Sequence, residues 1–138
     1  MAKITAIKSD MDKVEKGAWV PYAEDIQLCI ASINNKAYKK VRSRLLKPHL
    51  RQIRSQTMTS EEVLDVLKPA AAKFLLVDWK NIEDEDGKAI PYSPDKALEF
   101  FEDPALSDLY SFVLETAGES ELYRQEMMED AAKNSAKS

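Results

Sequence analysis

Pro48 and Pro69 constrain this chain most, because each interrupts an amphipathic run that would otherwise read as one long helix. Proline lacks a backbone N–H and its ring clashes with the preceding turn, so a helix kinks or ends there. In "INNKAYKKVRSRLLKPHLRQIRSQ", Tyr38, Val41, Leu45, Leu46, Leu50 and Ile53 recur at helical spacing, with basic residues between them. Asn34 or Asn35 can cap this run. In "TMTSEEVLDVLKPAAAKFLLVDWKN", Thr59 or Ser60 can cap, Thr59 with Glu62 matches a capping box, and Val63, Leu64, Leu67, Phe74, Leu75 and Trp79 form the apolar face. The segment "AAAKFLLVDW" is the most apolar in the chain and is expected to be a core helix ending in Trp79.

Two later helix starts resemble each other. Ser93 precedes Pro94 and Asp103 precedes Pro104, a cap followed by proline at the first helical position. Leu98, Phe101, Leu106, Leu109, Tyr110, Phe112 and Val113 supply the apolar set, and Gly118 reads as a C-terminal stop. A further helix is expected to begin at "ESELYRQ" and fray into a polar tail. Upstream the period is two instead of 3.6. Ile26, Leu28 and Ile30 alternate with Gln27 and Cys29, and Trp19, Val20 and Tyr22 are strand-type residues beside an edge-restricting Pro21. With "YAED" as the connection, this reads as a two-stranded hairpin that must pack on something else.

The expected fold is therefore mainly α (α+β): about five to six short helices in a compact bundle with a small N-terminal β-hairpin. With 138 residues there is room for one domain. Residues 1–16 lack clear period and are expected to be a flexible arm, 17–133 the single helical domain, and 134–138 a polar tail. The lone Cys29 precludes an internal disulfide, and no apolar run suits a signal peptide or the ~20 residues of a membrane span. A cytosolic protein without membrane contact is expected.

Charge is unevenly spread. No acidic residue occurs from Ile26 to Ser60, while Lys39, Lys40, Arg42, Arg44, Lys47, Arg51 and Arg54 form a candidate basic face. From Glu83 onward acids outnumber bases. A basic helix can bind nucleic acid, but the chain is acidic overall and has no helix-turn-helix or zinc pattern. The favoured reading is a basic face that meets an acidic surface, within the chain or on a partner. A small nucleic-acid-binding regulator using the 36–54 helix is the alternative.

Chemistry-bearing motifs are absent. With Gly87 at position six of a calcium loop, Asp84 and Asp86 fall at three and five, but Ile82 and Ser93 occupy positions one and twelve. The acidic stretch Glu83–Asp86 therefore reads as a solvated turn. His49 is the sole histidine, too few ligands for zinc. An enzyme built on Cys29 and His49 would need a reactive, low-pKa thiol. Glycines 17, 87 and 118 are too scattered for a phosphate loop. No catalytic residue, cofactor or metal is expected.

The order of motifs says more. Asp78-Trp79 is followed by the acidic turn Asp84 to Gly87, the segment Ile90 to Asp95, and Phe100 to Pro104; upstream, Asn35 to Tyr38 follow the strand pair. Over roughly residues 17 to 135 this arrangement resembles the tail assembly chaperones of long-tailed (siphovirus/lambdoid-type) bacteriophages. The resemblance implies a non-enzymatic protein of the host cytoplasm, absent from the mature virion. It implies binding to the tape measure protein, which is kept soluble while the tail tube assembles. It also implies a longer form, made by ribosomal frameshifting, that contacts the major tail protein. An amphipathic helical domain can offer a groove to a partner helix. The candidate partner-binding positions are Leu45, Leu50, Ile53, Phe100, Phe101, Tyr110, Phe112 and Tyr123, with Met127 and Met128 as adaptable contacts. Self-association is a further expectation.

Overall fold

Both prolines interrupt their helices as expected. The computed structural model describes residues 1–125. Helix α2 (Lys36–Leu46) gives way to a 3-10 turn, Lys47–His49, that contains Pro48, before α3 (Leu50–Arg54) resumes. Helix α4 (Ser60–Val66) stops before α5 (Lys68–Phe74), where Pro69 sits in the first turn. There the missing N–H costs nothing, since first-turn N–H groups have no intrahelical acceptor. The caps also form. Asn35 accepts from the Tyr38 N–H, and Thr59 and Glu62 exchange hydrogen bonds at 3.1 Å. Ser93 caps α6 (Pro94–Glu102). Asp103-Pro104 instead opens a 3-10 turn, Pro104–Leu106, and α7 (Ser107–Ala117) starts after it. The helix expected at "ESELYRQ" is a 3-10 turn, Ser120–Tyr123.

The hairpin is present as β1 (Ala18–Pro21) and β2 (Gln27–Ile30), but it is two-thirds of a sheet. The segment expected as a helix ending in Trp79 is helical only to Phe74, and β3 (Leu76–Lys80) pairs antiparallel with β2. Leu28 faces Trp79 in register, and a bulge between Cys29 and Ile30 brings Ile30 opposite Leu76. The physical reason lies outside the segment. A short apolar run fits a buried helix or a strand equally well. The second edge of β2 carries backbone groups that must find partners when buried, and β3 supplies them.

The first sixteen residues also hold structure. Helix α1 (Met11–Lys16) is capped by Asp10, buries Val14, and receives the Ser32 N–H on the Val14 carbonyl at 3.1 Å. The Asp10 N–H donates to the Tyr123 carbonyl, so both ends of the described chain meet. One buried residue in a six-residue helix leaves no period to read. After it, Gly17 adopts φ +101°, and a Cβ there would lie 2.7 Å from the Cys29 sulfur. The core centres on α5. Ala70, Ala71 and Ala72 are all buried and small, so α2 and α6 pack close against it. Leu28, Ile30, Leu75, Leu76, Phe101, Tyr110 and Val113 fill the remainder.

Several core groups are acids held in their neutral form. Burial, with Asp78 nearby, pushes the Cys29 thiol up to about 11 and the Tyr92 hydroxyl up to about 12. Burial likewise raises Tyr38, Tyr110 and Tyr123 above the ordinary tyrosine value of 10.0. Three of the hydroxyls donate to backbone: Tyr92 to Ala72 and Leu76, Tyr110 to Leu64, and Tyr123 to Ile30. A folded-state pKa raised above its unfolded value contributes stability that is complete below the unfolded value and lost as pH rises through the folded one. The urea midpoint should therefore stay level from about pH 7 to about pH 9 and fall steeply above about pH 10. Tyrosinate absorbance from Tyr38, Tyr92, Tyr110 and Tyr123 should appear in the same transition. Ionisation of Tyr38, Tyr92, Tyr110 and Tyr123 near the ordinary value while the protein stays folded would contradict this.

Candidate functional site

The acidic stretch forms a closed turn. Asp84 accepts the Asp86 and Lys88 N–H groups, both at 2.9 Å, and Gly87 takes φ +81°. The Ile90 N–H then donates to the Ile82 carbonyl at 2.8 Å, and Asn81 ties the loop to the hairpin through the Asp25 carbonyl. One carboxylate oxygen of Asp84 is thus engaged by the loop's own backbone, as an Asx-type turn requires. Among the described residues, no three His, Cys, Asp or Glu side chains gather as a metal site would need.

Below this turn lies a cleft of about 650 Å³. Tyr22, Ile26, Ile82, Ile90, Phe100 and Leu106 supply its apolar lining, and Glu83, Asp84, Glu85 and Asp108 its rim. Trp79 underlies it. The indole stacks on Phe100 (5.3 Å, 20°), meets Tyr92 edge-on (5.0 Å, 87°), and donates its N–H to the Ile90 carbonyl at 2.7 Å. The return of the acidic loop, β3 and α6 are therefore joined through one side chain. A second, smaller cleft of about 410 Å³ lies between α2 and α5. Val41, Leu45, Pro69 and Phe74 line it, with Lys40, Arg44 and Lys73 around the mouth. One cleft is rimmed by acids and the other by bases.

The expected partner-binding residues divide between surface and core. Phe100 lines the acid-rimmed cleft and Leu45 the basic-rimmed one. Leu50 is 40% exposed on α3, Ile53 is half-buried, and Phe112 is half-buried against Tyr22 at 4.7 Å. Phe101, Tyr110 and Tyr123 are core residues instead. Phe101 packs on Tyr110 at 4.8 Å, and both tyrosine hydroxyls are spent on backbone carbonyls, so none of the three offers a surface. Met127 and Met128 lie outside the described residues, as does the 134–138 tail. Within the basic face, Lys39, Lys40, Arg44, Lys47, Arg51 and Arg54 are exposed, and Arg42 lies half-buried over the Tyr38 ring at 5.8 Å. Sequence reasoning missed Tyr22, Ile26, Ile82, Ile90 and Leu106. The available signal was the pair of isoleucines that brackets the acidic turn.

Residues 33–134 match the profile of the YdaY prophage protein family. The chain belongs to this family. The match begins at Ile33, just after the hairpin, and covers α2 through α7, β3 and the acidic turn. Membership in the YdaY family makes the chain phage-derived. No curated protein and no solved structure matches it.

Proposed function

We propose that this YdaY-family chain is a non-enzymatic tail assembly chaperone that acts in the host cytoplasm. It binds the tape measure protein, keeps it soluble while the tail tube forms, and is left out of the mature virion. A frameshifted longer form brings in the major tail protein. The observation that carries this reading is the apolar cleft under the acidic turn. At about 650 Å³ and lined by Ile26, Ile82, Ile90, Phe100 and Leu106, it suits the apolar face of a partner helix. Phage origin supports it, as does the motif order from Asp78-Trp79 to Pro104. The Cys29 thiol argues against the enzyme reading. It donates to the Lys16 carbonyl and is pushed up to about 11 by burial, the reverse of an activated nucleophile.

The test is co-expression with the tape measure protein encoded by the same prophage. The tape measure should become soluble and co-purify with the tagged chain. Leu106→Asp should cut the recovered tape measure at least tenfold while leaving the far-UV spectrum unchanged, because a carboxylate in the cleft floor removes its apolar complementarity. A tape measure that is soluble but does not co-purify with the wild-type chain overturns the reading. Nucleic-acid binding is the second reading, favoured by one observation. Lys39, Lys40, Arg44, Lys47, Arg51 and Arg54 form no ion pair with any described residue. Gel shifts over a salt series separate the two, since phosphate binding weakens steeply with salt.

A further inference from the structure

The acid-rimmed cleft has its complement on the same molecule. On α3, Leu50 is 40% exposed and Ile53, one turn on, is half-buried. Lys47, Arg51 and Arg54 surround this pair, and the chain from Ile26 to Ser60 contains no acid to neutralise them. The result is an apolar knob ringed by cations. The cleft is an apolar hollow ringed by Glu83, Asp84, Glu85 and Asp108. None of these cations or carboxylates is in an ion pair with a described residue. Knob and hollow share no residue, and among the described residues both stand open.

We propose that copies of this chain associate head to tail, with α3 of one copy seated by Leu50 and Ile53 in the acid-rimmed cleft of the next. Charge complementarity selects this occupant. Cleft against cleft would bring acids together, and α3 against α3 would bring bases together, so the contact joins unlike surfaces. A contact between unlike surfaces repeats from copy to copy. It closes into a ring, the smallest being a pair that makes the contact twice, or grows as an open chain. Exposed charges around the seam make the association strongest at low salt. The proposal goes beyond the chaperone reading and gives the same cleft a second occupant, which a tape measure helix bound there would displace.

Sedimentation velocity of the purified chain tests it. At low salt the wild-type average mass should at least double as concentration rises, and should return to that of the monomer in high salt. Two charge-reversed variants refine the test: Arg51→Glu with Arg54→Glu, and Glu83→Lys with Glu85→Lys. All four positions are exposed. Each variant alone should remain monomeric, because like charges then face across the contact. Mixed in equal amounts they should assemble again, since each reversed surface meets its opposite on the other variant. A wild-type chain that stays monomeric at low salt overturns the proposal, whatever else the basic stretch binds. So does assembly of either variant alone, or a mixture that stays monomeric. Sedimentation is run on the purified chain alone and tape measure capture is read in the co-expression experiment, so the two occupants of the cleft do not compete in this measurement.

Discussion

Replacing Trp79 by alanine should remove about 3–5 kcal/mol of stability, a large share of the ~5–15 kcal/mol that holds a domain of this kind together. The indole is 5% exposed, stacks on Phe100, meets Tyr92 edge-on and donates to the Ile90 carbonyl. Truncation opens a cavity between β3, α6 and the acidic turn, and releases the hydrogen bond that anchors the return strand of that turn. Urea denaturation checks the size of the effect, and the melting temperature should fall by on the order of 10 °C. Trp79→Phe separates the two contributions. It keeps most of the ring contact but loses the N–H, so its cost should be about 1–3 kcal/mol, that of an unpaired carbonyl plus a small void. An alanine variant within about 1 kcal/mol of wild type would mean that the turn is held by contacts other than the indole.

The second large effect is expected at Asn35. Its side chain is 2% exposed and makes three bonds: Nδ2 to the Ser32 carbonyl at 2.7 Å, Nδ2 to the Phe74 carbonyl at 3.0 Å, and Oδ1 from the Tyr38 N–H at 2.8 Å. The last is a helix cap, worth about 1 kcal/mol. The bond to Phe74 joins the start of α2 to the end of α5, across thirty-nine positions of sequence. Asn35→Ala should therefore cost about 2–4 kcal/mol, more than a cap alone, because the Phe74 carbonyl is left without a donor. Asn35→Ser restores the cap but is too short to span to Phe74, so it should recover about 1 kcal/mol and no more. Full recovery by serine would show that the tie to α5 contributes little.

Asn35 shows how much of this molecule is legible in advance. That it or Asn34 caps a helix follows from asparagine ahead of a run at helical spacing. That the same amide also holds α5 follows from nothing within reach of Asn35 along the chain. The same division runs through the site. Adjacent Phe100 and Phe101 are equivalent in composition and both fit the apolar face of α6. One lines the cleft and the other is 2% exposed in the core. A single residue step turns the side chain by about 100° around the helix, and the packing of α5 and α7 decides which of the two is covered. Ile82 and Ile90 lie in a turn, where no period marks a buried side. Their joining into a cleft wall required the backbone bond between them and the indole beneath.

Local chemistry settled to within a residue where helices begin and break: Pro48 and Pro69, a cap at Asn34 or Asn35, one at Thr59 or Ser60, one at Ser93, and the alternation that makes the hairpin. Each of these signals acts within about one turn of backbone, so it survives in the sequence whatever surrounds it. Leu76–Lys80 became a strand because β2 had a second edge to satisfy, and Val14 became a core residue because Ser32 and Tyr123 came to meet α1. The two clefts lie where neighbouring elements, among the described residues, leave apolar side chains uncovered. Their opposite charges were already written in the acid-free stretch before Ser60 and the acid-rich chain after Glu83, but which apolar side chains each charge would surround depended on contacts between residues far apart in sequence.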